Sequence, residues 1–340
     1  MAIKYFQNIL LVILGMLVAG ILIELGVRTF LPEPVLPRFV IDSGYGVRDN
    51  DRNVVTTHYY PNQYNVMVTT NSHGLRGNNE YTLEKQAGVY RIAMLGDSFL
   101  FGHGVNDEEV VSSILEGMLN TGARDQTFEV LNFGVSGFGP AQELVTYGSK
   151  ASFYDPDLVI IFYFNNDIGN AVVSQLYARD GQGQLRRTGK EYLPGVRARE
   201  WMYSIAPLRW LFEHSQAWNV IRNRLSGIVH HDELRRKGLR SSSEEKPEAV
   251  RLTRALVMRF AKEIHENGSK AGLFVIPNKT LNSNFLFEDK ELVDSYDFII
   301  NGSEFLTGGD YYERDGHWTA AGHRKAASAI KAMLNRLLVE

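Results

Sequence analysis

A long, mostly apolar segment near the amino terminus constrains this chain more than any other feature. The segment covers residues 5–27, and its centre, residues 9–23, is apolar without a break. About 20 apolar residues suffice for a helix to cross a bilayer, so this run predicts a spanning helix. A cleaved signal peptide is the alternative, but its cleavage site requires small residues at alternating positions, and Leu17 breaks that pattern near Ala19. We therefore expect an uncleaved anchor.

The charges that flank the run give a weak signal of its orientation. Lys4 precedes it, and Arg28, Arg38 and Arg48 follow it. The positive-inside rule is therefore of little help here. Orientation is predicted instead from the run being the first spanning stretch, with no second one after it. The expected product is a single-pass membrane protein with a short cytoplasmic tail and a large exported domain, periplasmic or extracellular.

Composition excludes several classes of protein. Of the 340 residues, 44% are hydrophobic and 22% are charged, which is enough to build a core and excludes a disordered chain. The 36 basic residues against 39 acidic ones leave a net charge of -3, without the basic excess typical of nucleic-acid binders, so no nucleic-acid partner is expected. There is no cysteine, which excludes disulfides, thiol catalysis and cysteine metal sites.

Short apolar runs alternate with helical segments in the rest of the chain. Strands are predicted at residues 89–95, 128–133, 157–164 and 271–277. Helices are predicted from 106 or 107 to 119, from 140 to about 152, over 244–267 and over 319–338, the last capped by Thr319. This alternation predicts an α/β protein: a three-layer α/β/α sandwich with a mostly parallel sheet, preceded by the transmembrane helix.

The same patterns divide the chain into three parts. Residues 1–28 form the anchor, 29–88 a linker and N-terminal extension of loops and short strands, and 89–340 the α/β domain. No strand is predicted between residues 170 and 243, which we interpret as a helical insertion. Residues 181–260 hold 16 Lys and Arg against 8 Asp and Glu, a local charge of +8, and three tryptophans lie there: Trp201, Trp210 and Trp218. The insertion could lie at the membrane interface, cover the site as a lid, or pack as an ordinary subdomain.

Polar residues and glycines follow the predicted strands directly. Gly96-Asp97-Ser98 comes after the first strand, a Gly-rich turn through Gly137 after the second, and Asn165-Asn166-Asp167 after the third. Asp315 and His317 precede the last helix. Ligands in open α/β sheets lie beyond the carboxyl ends of the strands, where these residues are expected. A serine, backbone donors, an amide and an Asp/His pair are the groups that serine acyl transfer uses.

These four segments, in this order, resemble the motif blocks of the SGNH, or GDSL-like, hydrolases. The resemblance covers residues 90–330 and implies that Ser98 is the nucleophile, His317 the general base and Asp315 the acid that orients it. It also implies an oxyanion hole formed by the backbone N–H groups of Ser98 and Gly137 and the side chain of Asn166. No cofactor and no metal are implied.

Two positions depart from the family pattern. Phe164 stands where the third block commonly has glycine, which would reshape the pocket wall. The last block has one residue between its Asp and His instead of two, so Asp310 is kept as the alternative to Asp315.

Several other polar residues near these segments are expected to have structural roles. Asp97 is expected to bind the local backbone, since it stands before a helix start. His103 and His323 are expected to be structural because neither has a second ligand at metal spacing. Arg76 could bind a carboxylate or hold the N-terminal segment in place.

The resemblance implies a serine esterase that removes O-acyl groups, in particular O-acetyl, from a cell-surface or periplasmic glycan. Three alternatives stay open: an O-acyltransferase acting on a glycan, a lipid acylhydrolase, and an inactive member that binds glycan. The expected partners are accordingly an acylated glycan or a lipid ester, and the membrane through the N-terminal helix.

Overall fold

The computed structural model describes residues 2–31, 34–37, 39–121, 126–241, 246–278 and 289–338. Its first element is helix α1 (Ala2–Phe30). The segment Lys4–Phe30 has a mean hydropathy of 2.7 and its apolar window is not covered by the rest of the chain. By length and composition α1 can cross a membrane. A signal sequence near the N-terminus would pass the same test.

Two antiparallel hairpins follow the helix. Strands β1 (Val40–Asp42) and β2 (Arg48–Asn50) form one, and β3 (Val55–Tyr60) and β4 (Tyr64–Thr69) form the other. These hairpins are the short strands expected in the N-terminal extension.

The first half of the α/β domain supplies three strands and four helices. The strands are β5 (Val89–Leu95), β6 (Thr127–Asn132) and β7 (Leu158–Tyr163). The helices are α2 (Ser98–Phe101), α3 (Val111–Leu119), α4 (Pro140–Ser149) and α5 (Asp167–Ser174).

The region after α5 contains a hairpin and three helices. The hairpin is β8 (Tyr177–Arg179) and β9 (Leu185–Arg187), and the helices are α6 (Val196–Ser204), α7 (Ala206–His214) and α8 (Gln216–Arg236). The chain then completes the domain with α9 (Pro247–Glu266), β10 (Lys270–Val275), α10 (Lys290–Val293), β11 (Phe298–Asn301) and α11 (Ala320–Leu337).

Five of these strands form one parallel sheet in the order β6-β5-β7-β10-β11. The strand order reverses between β5 and β7, and such a reversal opens a crevice at the carboxyl ends of the strands. Strand side chains alternate between two cores. Ala93 and Leu95 pack with α4 and α9 on one face, and Ile92 and Met94 pack with α3 and α11 on the other. The predicted three-layer α/β/α architecture is confirmed.

The boundaries differ from the predictions in instructive places. The sequence does not predict β11, whose four residues are too short to give a period. The prediction of no strand between residues 170 and 243 is wrong, because β8 and β9 form a hairpin there. The helix predicted from 106 or 107 begins at Val111, since residues 107–109 form a 3-10 turn closed by a reciprocal capping box between Asn106 and Glu109. Position 244, the predicted start of α9, lies outside the described residues. The domain boundaries at 28, 88, 170 and 243 stay predictions.

Arg76 joins the N-terminal extension to the α/β domain. Its buried guanidinium donates to the carbonyl oxygens of Phe101 and Val105, each at 2.9 Å, and forms an ion pair with Asp107. Both expected roles are seen together: the carboxylate that Arg76 binds is Asp107 of the same chain, and this ion pair helps to hold the N-terminal segment in place.

His323, on α11, bonds to the first residue of α3. It is buried, and its Nδ1 accepts a hydrogen bond from the Val111 N–H at 3.2 Å. Burial, with the nearby charges of Arg76 and His317, lowers the pKa of His323 to about 3. The folded protein therefore keeps this imidazole neutral where the unfolded chain would already bind a proton.

A pH-dependent stability difference is expected from this burial. Because the pKa of His323 is lowered on folding, its contribution is fully present above about pH 6.5 and is lost as the pH falls towards 3. His323→Gln keeps an acceptor for Val111 but cannot titrate. The excess free energy of unfolding of the wild type over the variant should therefore shrink between about pH 7.5 and 4.5. Denaturant unfolding of both full chains in detergent measures it, and a difference independent of pH would contradict the prediction.

Candidate active site

Ser98 lies at the carboxyl edge of the sheet, at the first position of α2. β5 ends at Leu95, and the chain turns at Gly96, where a Cβ would come within 2.9 Å of the Phe162 Cβ. Asp97 caps the short helix: its carboxylate accepts a hydrogen bond from the Phe99 N–H at 2.8 Å, the local backbone contact expected for it. The turn therefore presents the half-buried Ser98 hydroxyl beside the crevice between β5 and β7.

A continuous hydrogen-bonded line joins Ser98, His317 and Asp315. His317 Nε2 is 2.8 Å from Ser98 Oγ, and His317 Nδ1 is 2.8 Å from Asp315 Oδ2. The imidazole and carboxylate side chains are only 20% and 9% exposed. Because ionised Asp accepts only, Nδ1 carries the proton, which leaves Nε2 free to accept the Ser98 hydroxyl hydrogen. One residue of spacing is thus enough to bring this carboxylate to the imidazole.

Asp310, the alternative to Asp315, is engaged elsewhere. Its carboxylate accepts from the N–H and hydroxyl of Thr307 and forms an ion pair with Lys325 at 2.7 Å. These contacts outweigh burial and lower the pKa of Asp310. Asp310 therefore stabilises the segment before α11. None of these bonds is to His317.

The loop after β6 is held by an arginine from the N-terminal extension. Arg48 donates to the carbonyl oxygens of Ser136 and Gly137 at 2.9 and 3.4 Å. A trans peptide directs its C=O and N–H to opposite sides, so the Gly137 N–H points away from Arg48. Gly137 has φ +76°, a conformation that favours glycine, and it is exposed at the loop tip.

The segment after β7 lies against the first motif. Asn166 Nδ2 is 3.5 Å from Asp97 Oδ2, the outer limit of a hydrogen bond. Phe164 packs on Phe99 with ring centres 4.8 Å apart, and Phe99 in turn contacts the His317 ring at 5.0 Å. Phe164 and Phe99 thus form an aromatic layer next to the histidine.

Three buried carboxyl groups lie behind the motif segments: Asp97, Glu143 and Asp167. Burial raises the pKa of each one, and the neighbouring carboxyl charges raise those of Glu143 and Asp167 further. The protonated form of Glu143 and Asp167 is therefore favoured. Among the described carboxylates, Asp315 is the one that hydrogen-bonds to His317.

A second serine–histidine pair lies beside the first, and the sequence did not identify it as part of the site. His103 Nε2 is 2.7 Å from Ser136 Oγ, and the His103 ring lies 4.9 Å from the His317 ring. On its far side, His103 meets the edge of His58 at 5.2 Å, whose pKa is lowered to about 4 by burial and by the charge of Arg76. His103 and Ser136 are 33 positions apart, and no local pattern in the sequence indicates that they meet.

The hairpin β3–β4 also reaches the site. The Gln63 side-chain oxygen accepts from the N–H groups of Arg314 and Asp315 at 3.0 and 3.4 Å. The buried Tyr64 hydroxyl lies near Asp315, and burial together with that carboxylate raises the pKa of Tyr64. Within the described ranges, no three His, Asp or Glu side chains are grouped to hold a metal ion.

Comparison with known proteins gives structural likenesses only. No protein-family model matches the chain, and no curated protein matches it. Among solved structures, it is similar to a two-domain esterase active on acetylated mannans, with 13% identity, 75% of this chain and 51% of that chain covered, and a TM-score of 0.44. The chain thus spans about half the length of that esterase.

Two further similar structures are also esterases. Esterase EstA from Pseudoalteromonas sp. matches with 12% identity, 74% and 99% coverage and a TM-score of 0.42. Axe2, an acetylxylan esterase from Geobacillus stearothermophilus, matches with 13% identity, 71% and 92% coverage and a TM-score of 0.37.

Mutation of Asp315 and mutation of Asp310 should have different effects on the reactivity of Ser98. Asp315→Asn would remove the acceptor that orients His317 and should slow modification of Ser98 by a fluorophosphonate on the order of 10³–10⁴-fold. Asp310→Asn should leave that rate within about threefold while lowering the free energy of unfolding by about 1–3 kcal/mol, because a buried acceptor is weakened. Rates come from intact mass against time, and unfolding from denaturant titration. Equal rates for the two variants would contradict the assignment.

Proposed function

We propose that this chain is a membrane-anchored serine esterase in which Ser98, His317 and Asp315 form the catalytic triad. The observation that carries the proposal is the line of two 2.8 Å contacts from Ser98 Oγ through the His317 ring to Asp315. A nucleophile within reach of a base that is itself oriented by a carboxylate is the arrangement required for acyl transfer.

The first half-reaction forms an acyl-enzyme. His317 Nε2 takes the Ser98 proton as Oγ attacks the ester carbonyl, and the carbonyl oxygen becomes an oxyanion. The imidazolium then gives its proton to the departing alcohol as the carbon–oxygen bond breaks. Asp315 holds the ring in the reactive tautomer and stabilises its positive charge throughout.

Donors from three segments would bind the oxyanion: the N–H groups of Ser98 and Gly137 and the Asn166 amide. The Ser98 N–H is at the start of α2, where the helix supplies it no acceptor. The Gly137 N–H is turned away from Arg48, and a small rotation would release the Asn166 amide from its long contact with Asp97. One such donor is worth about 3–4 kcal/mol of barrier. Water, activated by His317, completes hydrolysis.

The proposed substrate is a short O-acyl group, in particular O-acetyl, on a glycan outside the cytoplasm. Polar groups lie one or two contacts away from Ser98: His103 packs on the His317 ring and bonds to Ser136, and Asn166 contacts Asp97 next to Ser98. A long lipid acyl chain would need a continuous apolar groove instead. Location is inferred from α1, which would anchor the chain with the α/β domain on the exported side.

Intact mass after treatment with a fluorophosphonate tests the nucleophile. The full chain in detergent should gain one phosphonyl group, and Ser98→Ala should abolish the gain. Ser136→Ala is the matched control, because Ser136 also contacts a histidine, His103, at 2.7 Å, whereas the base of the proposed triad, His317, bonds to Ser98. The Ser136→Ala variant should still be labelled. Labelling that persists in Ser98→Ala, or that is absent from well-folded wild type, would contradict the proposal.

Acyl length tests the substrate class. The value of kcat/KM for a nitrophenyl acetate should exceed that for a nitrophenyl decanoate by at least about tenfold. A long alkyl chain would cover the polar side chains near Ser98, which would then lose their hydrogen bonds to water. Hydrolysis of O-acetylated oligosaccharide, followed as acetate release, provides the second measurement. A preference for the decanoate would favour a lipid acylhydrolase, and acetate appearing only on an added sugar acceptor would favour transfer.

A further inference from the structure

An exposed apolar patch marks the helical insertion. Six of its large side chains are each at least half exposed: Trp201, Trp210, Ile221, Leu225, Ile228 and Val229. These six residues are called the apolar patch. Scattered exposed apolar residues are ordinary on a protein surface. Six of them within 29 residues of the sequence are a concentration typical of an interaction site.

The members of the patch on α8 share one helix face. Ile221, Leu225, Ile228 and Val229 follow the spacing i, i+4, i+7 and i+8, which places them in one stripe. At the start of α8 the opposite side packs inward, since Asn219 is fully buried there. The helix is about 30 Å long, so the stripe can lie along an extended surface.

The anchor helix caps α8 directly. The Glu24 carboxylate accepts from the Ser215 hydroxyl at 2.7 Å and from the N–H groups of Gln216 and Ala217 at 2.9 and 3.0 Å. Arg28 donates to the His214 carbonyl at 2.6 Å. Glu24 directly follows residues 9–23, the unbroken apolar centre of α1, and is the first charged residue after it. The first turn of α8 is thereby fixed where the hydrocarbon-spanning part of α1 ends.

Charge in the insertion suits an anionic lipid surface. Residues 196–237 contain eight Lys and Arg against four Asp and Glu, a net of +4. Tryptophan collects at membrane interfaces, and basic residues near a membrane are attracted to anionic headgroups. The apolar stripe, the two exposed tryptophans, the positive charge and the junction with the anchor therefore occur together in the region from α6 to α8.

We propose that the apolar patch lies in the interface of the bilayer that α1 spans, so that the insertion holds the α/β domain against the membrane surface. The occupant of the patch is the anionic phospholipid surface itself. This inference rests on the anchored arrangement of the proposed function, but it does not depend on the chemistry of Ser98.

The absence of cysteine allows single labels to be placed at will. Ile228→Cys and Phe153→Cys form a matched pair, because the two native side chains are 65% and 64% exposed and only Ile228 belongs to the patch. Each full chain is reconstituted into nanodiscs of phosphatidylcholine and phosphatidylglycerol and labelled with an environment-sensitive fluorophore. Val18→Cys, within α1, reports whether the anchor is inserted.

Quenching by lipids that carry a spin label near the headgroup is the readout. The label at position 228 should be quenched roughly threefold more than the label at 153, and its emission should shift to shorter wavelength, as expected of an interfacial helix. Replacing phosphatidylglycerol by phosphatidylcholine should reduce the difference. Leu225→Cys repeats the test if the Ile228 variant fails to fold, as judged by circular dichroism.

Two results would overturn the proposal. Equal quenching at 228 and 153, with the label at 18 quenched, would show that the patch does not meet lipid. A blue-shifted label at 228 without lipid quenching would show that protein, such as a second copy of the chain, covers the patch. Loss of Ser98 labelling in the same discs would instead count against the esterase alone.

Discussion

Parallel pairing at the centre of the sheet is the constraint on which the site depends. β5 pairs with β6 on one side and with β7 on the other, so the carboxyl ends of three strands meet at one edge. Each strand is followed at once by a motif segment, which brings Ser98, Gly137 and Asn166 to that edge. The site can therefore form only when residues far apart in the chain pair correctly.

The histidine comes from outside this set of strands. His317 reaches Ser98 across 219 positions of sequence, from the loop before α11. Two contacts fix that loop: α11 packs on the second face of the sheet with Ile330 in its core, and Trp318, next to the histidine, is fully buried. The burial energy of this layer is what holds His317 close to Ser98.

The N-terminal extension takes part in the site rather than merely connecting it to the anchor. Arg48 holds the loop that contains Gly137, Gln63 holds the backbone at Asp315, and Arg76 bonds to the carbonyl that ends α2. An arginine with several fixed donors suits this task because its planar guanidinium can join carbonyls of different segments. Damage to the extension should therefore impair the site even though none of these three residues belongs to the proposed triad.

Much of the fold could be predicted from local pattern. β7 is buried along its whole length, and its unbroken apolar run identified it. Thr319 caps α11 as its position before the helix suggested. β11 and the hairpin β8–β9 escaped prediction because strands of three or four residues show no period and are defined by pairing with distant partners.

The candidate site could be predicted only where residues stand in a motif. Ser98, His317 and Asp315 follow strand ends or precede a helix, and the structure brings these three together. The places of His103, Ser136 and Gln63 depend on tertiary packing: nothing near Gln63 in sequence indicates that its amide will meet residues 314 and 315. Such contacts between distant segments leave no local trace in composition or spacing.

A crystal structure of the full chain with Ser98 phosphonylated would test the central claim most directly. The account predicts that one phosphoryl oxygen lies about 2.7–3.1 Å from the N–H groups of Ser98 and Gly137 and from the Asn166 amide. His317 should remain bonded to Asp315 in that adduct. A phosphoryl oxygen turned away from all three donors, or a His317 ring detached from Asp315, would contradict the account.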